Sequence, residues 1–379
     1  MSGAAVGPGE GVDAIETPAL VVDLDAMECN LAAMAAFAAA HRVRLRPHAK
    51  MHKCAAIARL QMAAGAVGVC VQKTSEAETL AAAGIDDIYI SNEVIDRPKL
   101  ARVAALARRI RLAIAVDSAE GVDRLAAALR EARAALDVFV EIDVGQGRCG
   151  VAPAAAGALA HQVVAHAPPE GGLRFAGLQA YHGGAQHLRG AVEREAASHH
   201  AAALARAAQA SITASGVACP LVTGGGTGTF AFDAASGVWG ELQCGSYLFM
   251  DRDYADNAAS PGAPRFEHAL FVKSQVMSRG AAHAVIDAGH KSHAVDSGPP
   301  RVWGRELEYG HGGDEHGILR PRPGGRPEEL PQLGETVWLV PGHCDPTVNL
   351  HRRFVAVRGG LERGVVAAVW PIEAAGCTA

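Results

Sequence analysis

The chain has 379 residues, 49% of them hydrophobic but only 5% aromatic, and 35 Lys and Arg against 40 Asp and Glu leave a net charge of −5. That length exceeds one ordinary domain at roughly 100 to 200 residues each, and the apolar content excludes disorder for most of the chain. The charge balance offers no basic excess for nucleic acid, and no apolar run reaches the ~18 residues of a membrane span.

The opening MSGAAVGPGEGVD lacks the basic-then-apolar pattern of a signal peptide, so a soluble cytoplasmic protein is expected, with no membrane partner. Eight cysteines stand far apart without a CxxC pair, which suits reduced thiols better than disulfides. Short β-like runs then alternate with Ala-rich helical stretches. The strands are expected at 19–25, 44–48, 67–71, 87–91, 111–116, 137–144, 174–181, 219–224 and 241–246. Between them NLAAMAAFAAAHRV, ARVAALARRI and VDRLAAALREARAAL carry apolar residues at helical spacing.

Nine strands are one too many for a closed (β/α)₈ TIM barrel. Taking 44–48 through 241–246 as the eight leaves the first strand to join whatever follows. An open doubly wound sheet is the alternative, but no G-x-G-x-x-G opens a helix after the first strand. At 251–266 the text turns to DRDYADNAASPGAPRF, a domain crossing. Beyond it LFVKSQVM, HAVIDAG, TVWLV, RFVAVRG and VVAAVWPI predict a mainly β C-terminal domain. The expected division is a barrel over 26–255 and a β domain from 1–25 plus 256–379.

In such a barrel, chemistry sits on loops after the carboxyl ends of the strands. There the chain carries His48, Lys50, His52 and Lys53, then Ser91, Asn92 and Glu93, then Gly145 to Arg148, then Tyr181, His182 and His187. The seventh and eighth strands are followed by Gly224–Gly225–Gly226–Thr227–Gly228 and Gly245–Ser246–Tyr247. Glycines alone are usually tight turns, but two such loops at these two strand ends favour a phosphate held by free N–H groups. Lys50 is the candidate Schiff-base lysine, its pKa expected to be lowered by apolar walls and cationic neighbours, with Lys53 as a rival. Lysine plus phosphate loops describes a pyridoxal phosphate site. His48 and His52 could mimic a metal pair, but beside Lys50 cofactor-ring packing suits them better.

Near the end, Gly342-His343-Cys344-Asp345-Pro346 places His343 and Asp345 on one side of an extended segment and Cys344 on the other. One imidazole and one carboxylate suit Mn²⁺ or Mg²⁺ better than structural zinc, although a hydrogen-bonded His in a turn is the commoner meaning of HxD. His161, His166, His199, His200 and His283 read as structural or solvated.

Taken together, TPALVVDLDAMECNL, RPHAKMHK, VCVQKTSEAE, IYISNEV, EIDVGQGRCGV, FAGLQAYHG, TGGGTGTFAFDAASGVWGELQCGSYLFMDRDY and GHCDPTVNLH resemble the bacterial D-threonine aldolases. These are alanine-racemase-like, fold-type III pyridoxal phosphate enzymes, related to D-serine dehydratases and 3-hydroxyaspartate aldolases. The resemblance runs from about residue 15 to the end. It implies a barrel followed by a β domain that takes in the first strand. It implies Lys50 as the cofactor lysine. Thr223, Gly224, Gly225, Gly226 and Thr227 with Gly245, Ser246 and Tyr247 would hold the phosphate. His48, Gln72 and Tyr181 would lie about the cofactor, and Arg148 would face the pyridine nitrogen. His343 and Asp345 match a metal pair, and Asp345 stands where the dehydratases typically carry a zinc-binding cysteine, which favours an aldolase with Mn²⁺ or Mg²⁺ over Zn²⁺. His187 is the candidate base.

The implied activity is cleavage of D-threonine, D-allo-threonine and related D-β-hydroxy-α-amino acids to glycine and an aldehyde. The alternatives are a 3-hydroxy-D-aspartate aldolase, or a dehydratase of D-serine or D-threo-3-hydroxyaspartate. A racemase would need no metal pair. A non-catalytic pyridoxal phosphate carrier would lack both that pair and the second domain. A homodimer is expected by analogy, with Asp314, Glu315 and His316 on a loop that could reach a neighbouring subunit.

Overall fold

A computed structural model of the chain describes residues 6–167 and 171–379, so the first five residues of the expected 1–25 segment lie outside the described residues. The first strand, β1 (Ala19–Asp23), precedes eight parallel ones: β2 (Arg44–Leu45), β3 (Val69–Val71), β4 (Asp87–Ile90), β5 (Arg111–Val116), β6 (Ala135–Glu141), β7 (Gly172–Ala180), β8 (Val222–Gly224) and β9 (Glu241–Leu242). They form one sheet in the order β2-β9-β8-β7-β6-β5-β4-β3. Its two ends meet: Val67 N–H donates to Leu45 O at 2.9 Å and Cys70 N–H to Pro47 O at 2.8 Å, with a parallel bridge between His48 and Cys70. Near-continuous apolar runs such as RLAIAV make such strands, because helices outside and side chains inside bury both faces. Alanine-rich helices, the longest Ala191–Ala214, pack closely on the sheet.

Several strands stop short of their expected ends. The runs expected at 44–48 and 241–246 are regular strand only to Leu45 and Leu242, keep scattered ladder contacts beyond, and enter 3₁₀ turns at Ala49–Met51 and Ser246–Leu248. Their β-like continuations are the loops that carry the chemistry.

The second sheet has nine strands: β1 with β10 (Leu270–Arg279), β11 (Ala284–Ile286), β12 (Arg301–Val302), β13 (Leu307–His311), β14 (Gly317–Pro321), β15 (Thr336–Val340), β16 (Arg353–Arg358) and β17 (Val365–Pro371). The expected surplus strand is here, with β1 antiparallel to β10 (Val21↔Phe271) and parallel to β16 (Val21↔Val355). Buried Lys273 on β10 fixes the approach to β1, donating to Val12 O at 2.8 Å and Ile15 O at 2.7 Å. The hairpin β13–β14 was not legible in LEYGH and GILRP, whose Gly, Pro and charges depress strand propensity.

The crossing at 251–266 is structured. Buried Asn30 clamps it, donating to Leu248 O at 3.0 Å and Glu267 O at 2.7 Å and accepting from Glu267 N–H at 2.7 Å. A short helix, Arg252–Ala255, lies within it. Among the described residues no helix is long and apolar enough to cross a membrane, and all eight cysteines are free thiols.

Candidate active site

A cavity of about 250 Å³ opens where the barrel loops meet the β domain. Lys50 enters it from the 3₁₀ turn after β2, where its own N–H donates to His48 Nδ1 at 3.4 Å. Opposite lie Gly225, Gly226, Thr227, Gly245 and Ser246. Gly225 adopts φ +70°, a left-handed turn that aims successive N–H groups one way. The N–H groups of Gly225, Gly226 and Thr227 meet no acceptor among the described residues, whereas Tyr247 N–H is spent on Thr227 Oγ1 at 3.0 Å. Three free donors on a glycine turn fit a phosphate.

His48, Gln72, Arg148 and Tyr181 line the same cavity, as expected. Burial and the nearby Lys50 push the His48 imidazole well below its ordinary range, so it is neutral. Its Nε2 lies 3.0 Å from the Gln72 amide and 3.2 Å from the Ser91 hydroxyl. The Arg148 guanidinium sits 5.8 Å from the Tyr181 ring centre and 4.0 Å from Glu141, whose carboxyl is pushed up to about 9 by burial and by Glu93.

Three of the residues expected on the phosphate do not line the cavity. Thr223 is fully buried inside the barrel, its hydroxyl donating to Glu241 Oε1 at 2.8 Å, because inward positions on a short strand belong to the barrel's own polar core. Gly224 lies within the β7–β8 and β8–β9 ladders. The Tyr247 phenol is buried within reach of Gln61, 3.4 Å away. Met51, Gln179, Gln243 and Tyr254 line the cavity without having been singled out. Gln179 and Gln243, polar residues at strand ends in otherwise apolar runs, were the available signal; Tyr254 was hidden in the crossing.

Of the two candidate lysines, Lys50 lines the cavity and Lys53 does not. Lys53 points away, its Nζ donating to Glu76 Oε1 at 2.7 Å and Cys377 O at 3.3 Å. His52 is no metal partner for His48: it is buried, 3.2 Å from Gln61 Oε1, and burial lowers it to about 4. The expected lowering of Lys50 does not hold in this arrangement. Burial alone would lower it, but its ammonium meets the Asp345 carboxylate, and the attraction raises its pKa above the ordinary value.

At the metal candidate the expected geometry is corrected while the convergence stands. Residues from Cys344 to Asn349 form a helix, not an extended run, with His343 as its N-cap and Asp345 in the first turn. His343 Nε2 and Asp345 Oδ1 face each other at 3.9 Å, and Asp345 Oδ1 is buried with no hydrogen-bond partner. An orphaned carboxylate oxygen beside an imidazole nitrogen fits a divalent cation, since two bonds of about 2.1 Å span that gap. Cys344 is buried away from the pair and burial holds it as a neutral thiol.

Two aspartates that sequence reasoning missed support the pair. Buried Asp251 accepts from Tyr254 N–H at 3.0 Å and Cys344 N–H at 2.9 Å, joining the crossing to the His343 helix. Asp296 lies 2.6 Å from His343 Nδ1. His187 does not line the cavity; its Nδ1 is 2.6 Å from Asp253 Oδ2 and its ring 5.4 Å from that of Tyr254. Within the chain, Asp314 and Glu315 pair with His290 and Lys291 of the β domain.

Comparison with known proteins places the chain in a family. Residues 22–253 match the family described as "Alanine racemase, N-terminal domain", and residues 269–357 the "Putative serine dehydratase domain". A D-threonine aldolase of Arthrobacter sp. is 48% identical over 97% of this chain and 95% of its own. A 3-hydroxy-D-aspartate aldolase of Paracoccus denitrificans is 41% identical over 97% and 94%. The crystal structure of D-threonine aldolase from Filomicrobium marinum superposes with a TM-score of 0.95 at 47% identity, covering 99% of this chain and 100% of that one. The chain therefore belongs to the alanine-racemase-like family, in the group of the D-threonine aldolases and their 3-hydroxyaspartate relatives.

Proposed function

We propose that the chain is a carbon–carbon lyase, dependent on pyridoxal phosphate and a divalent metal, that cleaves D-threonine and related D-β-hydroxy-α-amino acids to glycine and an aldehyde. The observation that carries this reading is the placement of Lys50 against Asp345, itself beside His343, in one cavity with the free N–H groups of the glycine loop.

When bound, pyridoxal phosphate supplies an electron sink for the pair left on Cα, and a divalent cation, Mn²⁺ or Mg²⁺ before Zn²⁺ for a carboxylate and imidazole set, supplies a Lewis acid for the β-hydroxyl. Lys50 would be the amine that holds the cofactor. Gly225, Gly226, Thr227 and Ser246 would hold the phosphate by backbone N–H and hydroxyl donors, and Arg148 would face the pyridine nitrogen. His343 and Asp345 would present one nitrogen and one carboxylate oxygen to the metal. His187, outside the cavity lining but with its ring 5.4 Å from that of the lining Tyr254, is the proposed base: its Nδ1–H donates to Asp253, which leaves Nε2 free to accept the β-hydroxyl proton. As that O–H bond breaks, a carbonyl forms at Cβ, the Cα–Cβ bond breaks with its pair left on Cα, and a proton returned to Cα gives glycine.

The 41% identical relative favours 3-hydroxy-D-aspartate as a second substrate of the same cleavage. A cytoplasmic homodimer completes the reading; the free thiols support the location and fold-level analogy the assembly. Incubation with D-threonine, 3-hydroxy-D-aspartate and D-serine, each with Mn²⁺ and with product identification, tests the assignment. Acetaldehyde and glycine from D-threonine are expected; ammonia and a keto acid would overturn it in favour of a dehydratase.

A further inference from the structure

We infer that Asp296 is a positioning residue that fixes the tautomer of His343 and so aims its Nε2 lone pair at Asp345 and the metal; this rests on the metal reading above. A neutral imidazole carries one N–H and one lone pair, and only the lone pair binds a cation. The His343 Nδ1 is 2.6 Å from Asp296 Oδ2, and an ionised carboxylate can only accept. In the neutral ring that a cation needs, the proton therefore sits on Nδ1, which leaves the Nε2 lone pair where it faces Asp345 Oδ1 at 3.9 Å.

The contact is built in from both sides. The segment carrying Asp296 is tied to the helix of the metal pair: Ala294 N–H donates to Thr347 Oγ1 at 3.0 Å, the Thr347 hydroxyl donates to His343 O at 2.7 Å, and His351 Nε2 lies 2.8 Å from Ser292 O. Arg252 of the crossing donates to Ser297 O. On the other side the chain passes so close that a Cβ on Gly342 would lie 2.4 Å from Gly298 O. Asp296 is itself half exposed, so replacing it leaves the core untouched. Partners of this kind raise ligand basicity and hold the ring, and their loss weakens metal binding about 10- to 100-fold.

The test is Mn²⁺ titration of the chelator-stripped protein with its cofactor retained, reading free Mn²⁺ by its electron spin resonance signal. Asp296→Asn is expected to weaken binding about 10- to 100-fold, and Asp296→Glu to recover part of it, with melting temperature and cofactor absorbance unchanged. Mn²⁺ affinity in Asp296→Asn within twofold of the parent would overturn the inference alone. A parent protein that takes up no Mn²⁺ would overturn the metal reading, and the inference with it.

Discussion

The two poles of the cavity are made in different ways. The proposed phosphate pole is backbone: Gly225 to Thr227 and Gly245–Ser246, two short loops at adjacent strand ends, offer N–H dipoles that cost little to bury because they carry no full charge. The proposed metal pole is charge: His343 and Asp345, held by Asp251 and Asp296 from distant segments, with Lys50 drawn onto Asp345. Such a cluster persists only where each group has a partner, so it is assembled from the crossing, the strap around 292–298 and the late helix together. A local motif suffices for the first pole, and the second needs the tertiary fold.

The sharpest way to break this contrast is at the lysine between the poles. Lys50→Ala should reduce turnover to background and remove the absorption band of the bound cofactor, while Lys53→Ala, whose lysine serves a buried pair with Glu76, should keep that band. His187→Ala should lower kcat about 10²- to 10⁴-fold with cofactor affinity unchanged, measured by steady-state kinetics and cofactor titration; an unaltered kcat would move the base elsewhere. On the phosphate side, Gly225→Ala forces a side chain into φ +70° with its Cβ 2.8 Å from Asp233 Oδ2, a strain of about 1–2 kcal/mol. A lower melting temperature and weaker cofactor binding are expected, with Mn²⁺ affinity retained.

The mildest change concerns pH and stability alone. Glu141, pushed up to about 9 from an ordinary 4.5, keeps in the folded chain a proton that the unfolded chain releases. Stability should therefore fall as pH rises from about 4.5 and level off beyond about 9. Glu141→Gln should flatten that slope in a melting-temperature series, with turnover at neutral pH little changed.

Legibility followed the same division. The barrel strands were readable because buried parallel strands are continuous apolar runs, and the glycine loops because they are contiguous in the text. The phosphate assignment included Thr223, whose hydroxyl bonds Glu241 inside the barrel, and Tyr247, whose phenol packs beside Gln61 and Phe266, since a loop motif does not say which of its members face the ligand. His343 and Asp345 were visible as HxD, though they converge through a helix turn rather than an extended strand. Asp296 and Asp251 were not visible, because their partners lie 47 and 93 residues away in the chain. The raised pKa of Lys50 is not legible for the same reason: its neighbours in sequence are cations and apolar groups, but its neighbour in space is Asp345.

The central claim, a carbon–carbon lyase whose metal sits on His343 and Asp345, is tested most directly by the rate of acetaldehyde release from D-threonine in excess chelator. Release should stop with the cofactor absorbance unchanged and resume on adding Mn²⁺. Full release in the presence of the chelator would contradict it.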